Sequence, residues 1–104
     1  MEDVLRRAAK KDANHHSIGD YLRALGWSVL DLSTAGNGVP DMAVGRAGFA
    51  ALVEVKDGSK PPSQRRLTPD EQRVKDNWEG PYVIATSPED AAMQLGALYA
   101  RRMG

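Results

Sequence analysis

The chain has 104 residues, 41% hydrophobic and 27% charged, and its 14 basic and 14 acidic side chains balance to a net charge of zero. That length holds one domain, residues 1–104, with one modest core. The charge balance excludes a general electrostatic pull toward nucleic acid, the absence of cysteine excludes disulfides, thiolate metal sites and a thiol nucleophile, and no run nears the ~20 apolar residues of a membrane span.

The opening Met1-Glu2-Asp3-Val4 is charged and carries no leader-like apolar stretch, which together with the missing cysteines fits an intracellular, cytoplasmic protein. Residues 3–11 suit a helical turn or two, with Val4, Leu5, Ala8 and Ala9 on one side. Residues 14–25 predict a helix, because Ile18, Tyr21, Leu22 and Leu25 follow i, i+3, i+4, i+7 spacing and Gly26 stands just beyond. His15 and His16 read as a partly exposed helix start, since neighbours on a helix point about 100° apart and do not easily share an ion.

Three strands are predicted next: Trp27 to Leu32, then Asp41 to Gly45 after the Gly-rich loop Ala35-Gly36-Asn37-Gly38, then Phe49 to Lys56 after a turn at Arg46 to Gly48. Their close spacing and turn residues suggest a meander of hairpins. Residues 57–66 form an exposed loop. Thr68, Pro69 and Glu71 give the signature of a capped helix start, ending near Glu79-Gly80-Pro81. Tyr82 to Thr86 is a short strand, and Ser87-Pro88-Glu89-Asp90 opens a last helix to about Arg102, with Ala91, Ala92, Leu95, Leu98 and Tyr99 as its apolar stripe. Trp27 and Trp78 read as core anchors. The order predicts an α/β fold, a mixed sheet of about four strands flanked by helices.

The stretch that carries chemistry is Val39-Pro40-Asp41 followed by Val53-Glu54-Val55-Lys56. Alternate side chains of a strand share a face, so Glu54 and Lys56 project together while Val53 and Val55 face the core. If Asp41 begins the neighbouring antiparallel strand, its carboxylate comes near Glu54. Two such carboxylates, with a backbone carbonyl and waters, make an oxygen site for Mg²⁺ or Mn²⁺. Such a cation polarises a phosphate and acidifies a water, and an ammonium such as that of Lys56 orients the water or offsets charge developing on phosphorus. A surface salt bridge between Glu54 and Lys56, with Asp41 as a turn residue, is the plain structural alternative. Basic residues cluster at Lys56, Lys60, Arg65, Arg66, Arg73 and Lys75, and again at Arg6, Arg7, Lys10 and Lys11.

The segment from Gly36 to Gln72, with Val-Pro-Asp, Val-Glu-Val-Lys-Asp-Gly-Ser-Lys-Pro-Pro-Ser and Leu-Thr-Pro-Asp-Glu-Gln, resembles the PD-(D/E)xK nuclease superfamily. Within it the chain, from about Asp12 to Asp90, is similar to small stand-alone VRR-NUC-type nucleases, often phage-encoded and akin to Holliday junction resolvases. The resemblance implies a restriction-endonuclease-like α/β core, Mg²⁺ or Mn²⁺ as cofactor, and hydrolysis of DNA, often branched DNA, in a bacterial cytoplasm. It makes Asp41 and Glu54 metal ligands, Val55 the donor of a backbone carbonyl, Lys56 the catalytic lysine, and Gln72 a residue beside the site. Two positions depart from the pattern. Ser17 stands where relatives carry a glutamate on the first helix, with Asp20 one turn later as the candidate substitute. Lys75 stands three residues before Trp78, where relatives tend to carry histidine.

In this setting Lys60, Arg65, Arg66, Arg73 and Lys75 become candidate contacts to the DNA backbone, which hold a duplex without reading sequence. A resolvase makes two cuts, so a homodimer is expected, its interface on the first or last helix. Two further readings stand beside the endonuclease: a DNA-binding module with a degenerate nuclease site, suggested by Ser17, and an interaction protein without a nucleic-acid partner, suggested by the zero net charge.

Overall fold

The computed structural model describes residues 15–104. The turn predicted over residues 3–11, Asn14 at the predicted helix start, and the basic cluster Arg6, Arg7, Lys10 and Lys11 lie outside the described residues. Helix α1 covers residues 15–24 in the described part of the chain. Strands β1 (Ser28–Asp31), β2 (Met42–Arg46) and β3 (Phe49–Val55) follow, then helix α2 (Pro69–Asn77), strand β4 (Tyr82–Ala85) and helix α3 (Pro88–Met103). The loop before α2 contains one short 3-10 turn, Pro62–Gln64. Among the described residues no helix is long and apolar enough to cross a membrane.

The four strands lie side by side in chain order, β1-β2-β3-β4, with β1, β2 and β3 forming the antiparallel meander and β4 joining β3 in parallel after the α2 crossover. Among the described residues this is an α/β fold with a mixed four-stranded sheet and three helices. One face of the sheet presents Met42 and Val44 from β2, Phe49, Ala51 and Val53 from β3, and Val83 and Ala85 from β4. Ile18 and Leu22 of α1 and Ala91 and Leu95 of α3 complete that core. Burying each of the larger aliphatic side chains contributes roughly 1.5–3 kcal/mol. The α3 stripe predicted from sequence is therefore internal, with Ala92, Leu98 and Tyr99 packed at its margin. Tyr21 and Leu25 of α1 and its immediate C-terminal turn remain exposed.

The end of the sheet away from Asp41 is closed by aromatic packing. Trp27, Phe49 and Tyr99 meet edge to face with centroids 5.9–6.0 Å apart, a geometry favoured by the ring quadrupole. The Arg46 guanidinium covers the Trp27 and Tyr99 rings and donates to the Leu25 carbonyl at 3.1 Å, fastening the end of α1. Gly26, at φ 98°, takes the left-handed conformation that releases the chain from α1 into β1.

Trp78 departs from the expectation of a core anchor: it is 45% exposed. It follows the last turn of α2, where its indole N–H donates to the Pro81 carbonyl at 3.1 Å, so it braces the turn into β4 instead of entering the core.

Candidate metal and phosphate site

Pairing of β2 with β3 sets Met42 opposite Val53, and one further step along that register sets Asp41 opposite Glu54. Glu54 alternates with the core residue Val53 and so lies on the sheet face turned away from the aliphatic core, while Asp41 stands at the end of the ladder beside it; both are buried, at 3% and 4% exposure respectively. Asp41 sits at a bend just before β2, so its side chain reaches across the end of the ladder. Its Oδ2 accepts the backbone N–H of Val55 at 2.8 Å. The sequence favours this locally: Pro40, next in register opposite Val55, has no N–H to continue the ladder, and the Asp41 carboxylate accepts the Val55 amide at the strand end.

Glu54 carries the strongest electrostatic signature. Burial, then the neighbouring Asp41 charge and a hydrogen bond shared with Asp41, push its carboxyl from an ordinary 4.5 up to about 9, with Glu71 adding to the rise and Lys56 opposing it. Two carboxyl groups held together out of water favour sharing a proton over carrying two negative charges. Tyr82, on the neighbouring strand, is pushed up to about 12 by burial and by the negative charge of Glu54, Glu71 and Asp41. Its hydroxyl is buried and has no hydrogen-bond partner.

Lys56 follows Glu54 on the same face, and its Nζ donates to Glu71 Oε1 at 2.7 Å. Glu71 is the third residue of α2, and the same oxygen accepts the backbone N–H of Thr68 at 2.8 Å while the Thr68 hydroxyl accepts the Glu71 N–H at 3.2 Å. This is the capping box that the sequence predicts. Burial alone would raise Glu71, but the hydrogen bonds from Lys56 and Thr68 and the Lys56 charge outweigh it and lower its pKa. Glu71 is thus a member of the site that sequence reading treated as a helix cap only. The start of α2 is held against the Gly-rich loop: at Gly38, where φ is 81°, an added Cβ would stand 2.4 Å from the Asp70 carbonyl.

The structure brings Asp41, Glu54, Val55 and Lys56 together and leaves other predicted residues apart. Gln72 turns away along α2 and donates to Asp76 at 2.8 Å; one residue earlier on the helix, Glu71 occupies the place expected of it. Asp20 is exposed and pairs with Arg23 at 3.3 Å, on the side of α1 opposite to Ile18 and Leu22, so it does not supply the first helix's acid. Ser17 is exposed as well. His15, expected at a partly exposed helix start, is instead buried at 7% exposure. Its Nε2 lies 3.3 Å from Asp31 Oδ1 and its Nδ1 lies 4.0 Å from Asp41 Oδ1. Its position explains the difference: it continues the Ile18–Leu22 face of α1, which packs on the sheet.

The predicted cations divide. Lys60 and Arg66 are exposed on the loop after β3. Arg65 is half-buried, with its Nε enclosed and lacking a hydrogen-bond partner. Arg73 pairs with Asp70 at 2.7 Å, and Lys75 lies over the Tyr82 ring at 5.9 Å. A separate groove of about 330 Å³ lies among Gly48, Phe49, Ala50, Pro81, Leu98, Arg101 and Arg102. None of the predicted site residues lines it, so the polar cluster is the better candidate for chemistry.

Among the described residues no group of three or more histidine, aspartate or glutamate side chains stands at chelating spacing. The donor set that fits a hard divalent cation is the Asp41 and Glu54 carboxyls with the Val55 carbonyl, completed by water. A cation there would relieve the electrostatic conflict that raises Glu54. Comparison with protein-family models, with curated proteins and with solved structures finds no match to this chain.

Proposed function

We propose that the chain is a Mg²⁺- or Mn²⁺-dependent endonuclease of the PD-(D/E)xK type, hydrolysing phosphodiester bonds of branched DNA on a restriction-endonuclease-like core. One observation carries the reading: Asp41 and Glu54, opposed across the end of an antiparallel pair, share a buried electrostatic site that Lys56 also reaches. A divalent ion held there would supply Lewis acidity toward a phosphate and a water. Asp41 is fixed by the Val55 amide, so one of its oxygens is oriented and the other faces outward from that bond. Lys56 is held by Glu71 in a half-buried position, from which its ammonium can offset charge on a phosphate oxygen. Lys60 and Arg66 stand on the segment that directly follows the catalytic strand and suit backbone phosphates.

Cleavage of branched DNA, in the cytoplasm and by a homodimer, belongs to the same proposal. Its test is incubation of four-way junction, flap and linear duplex with Mg²⁺ or Mn²⁺ and with chelator. Metal-dependent cutting of a branched substrate supports the reading.

The second reading, a DNA-binding module with a degenerate nuclease site, is favoured by one observation: no third side chain completes a chelating group among the described residues. Salt-sensitive binding without cutting in either metal would establish it instead.

A further inference from the structure

We propose that Tyr82 is a positioning residue of the candidate site, its hydroxyl serving as the hydrogen-bond donor that holds the Glu54 carboxylate as a cation ligand. The inference rests on the cation site of the proposed function and adds a residue that neither the sequence pattern nor the resemblance assigns. The Tyr82 hydroxyl is buried and has no hydrogen-bond partner among the described residues. A phenol enclosed in this way has given up water and gained nothing in return, which is costly unless an acceptor meets it in the working state of the protein.

Strand register points to the acceptor. β4 runs parallel to β3 with Tyr82 beside Leu52 and Ile84 beside Glu54. Val83 and Ala85 enter the core, so by alternation Tyr82 shares the opposite face with Glu54 and Lys56. Tyr82 starts one strand across from Glu54 and two residues back, about 4.8 Å and about 6.6 Å in the two directions. A tyrosine leaning along its strand covers that span. Helix α2 roofs this face: Glu71 meets Lys56 at 2.7 Å, and one turn further on the Lys75 ammonium lies 5.9 Å from the Tyr82 ring centre. Among the charges that act on the hydroxyl, Glu54 leads Glu71 and Asp41. All three are carboxyl groups, so the unused donor stands near acceptors of the site. Carboxylates that hold a metal are commonly hydrogen-bonded in their turn. A neutral phenol steadies such a carboxylate without adding a positive charge to oppose the ion.

The test compares the full-length wild type with Tyr82→Phe, which removes the hydroxyl and keeps the ring. Without metal, urea melts are expected to place the Tyr82→Phe midpoint at or above that of the wild type, since the deleted group had no partner. Calorimetric titration with Mn²⁺ is expected to show affinity about tenfold weaker in Tyr82→Phe. In a Glu54→Gln background the same substitution is expected to change Mn²⁺ affinity by less than about twofold, because the hydroxyl acts through that carboxylate. A metal-free midpoint well below wild type would make the hydroxyl a structural group and overturn the proposal. Unchanged Mn²⁺ affinity in Tyr82→Phe, with wild-type binding that Asp41→Asn abolishes, would overturn it and leave the two-carboxylate site standing. An equal loss in both backgrounds would overturn it as well. Weaker Mn²⁺ binding in Tyr82→Phe, with no cleavage of any DNA by the wild type, would keep the role of Tyr82 and remove the nuclease reading, whereas a wild type that binds no Mn²⁺ would remove both.

Discussion

Lys56 and Glu71, fifteen residues apart, meet at 2.7 Å, and the glutamate oxygen that takes the ammonium also takes the Thr68 amide that starts α2. Helix capping and positioning of the lysine are therefore one arrangement. The two roles separate by mutation. Thr68→Ala removes the acceptor for the Glu71 N–H and is expected to cost about 1 kcal/mol in urea melts while cleavage stays near wild type. Glu71→Ala also leaves a half-buried ammonium without its partner. Its cost is expected to reach about 2–3 kcal/mol, and cleavage to fall roughly tenfold or more as Lys56 loses its orientation.

Gly38 fixes where that helix begins. Alanine there would combine a left-handed backbone with a Cβ only 2.4 Å from the Asp70 carbonyl, whereas at Gly36, also left-handed, nothing lies within 4 Å. Gly38→Ala is expected to destabilise the fold by about 2–4 kcal/mol and Gly36→Ala by about 1 kcal/mol. Equilibrium denaturation of the two variants side by side reads the difference.

Much of this was legible in the sequence, because the signals were local. The α2 capping box, the three strands of the meander and a short fourth strand in a mixed sheet follow from turn residues and apolar patterning, and the approach of Asp41 to Glu54 follows once their strands pair antiparallel; the parallel pairing of β4 with β3 is seen only in the structure. What escaped depends on tertiary packing. Trp78 reads as apolar but ends as a turn brace because α2 stops at Asn77. Gln72 and Glu71 are neighbours, and only the rotation of α2 decides which faces Lys56. His15 looked exposed because a residue at the edge of an amphipathic pattern gives no sign of what lies beneath it. Its spacing of three from Ile18 was the available clue.

Glu54 makes stability fall as pH rises. Its carboxyl titrates near 4.5 when unfolded and at about 9 in the fold, so between those values the folded state retains a proton that the unfolded state has lost. Its contribution is full below pH of about 4.5 and is lost as pH rises through about 9. Glu54→Gln, neutral throughout, is expected to gain on the wild type by roughly 2–3 kcal/mol near pH 8 and by little near pH 5. Urea melts at several pH values check this, and adding Mn²⁺ is expected to flatten the wild-type slope, since the cation offsets the ionised pair.

Lys60 and Arg66 are expected to act through phosphates alone. Replacing either with alanine should weaken binding of every DNA sequence alike and reduce the slope of log affinity against log salt by about 1. Arg73, paired with Asp70 at 2.7 Å, is expected to matter less. Fluorescence anisotropy across a salt series, with Ca²⁺ in place of Mg²⁺ to limit cutting, measures both.

The most direct measurement compares wild type, Asp41→Asn and Lys56→Ala on a four-way junction, a flap and a linear duplex in Mg²⁺ and in Mn²⁺, with circular dichroism to establish folding. Metal-dependent cleavage of a branched substrate by the wild type, lost in both folded variants, is the expected result. Equal cleavage by all three proteins would contradict the site assignment, and no cleavage by any of them would contradict the enzyme itself.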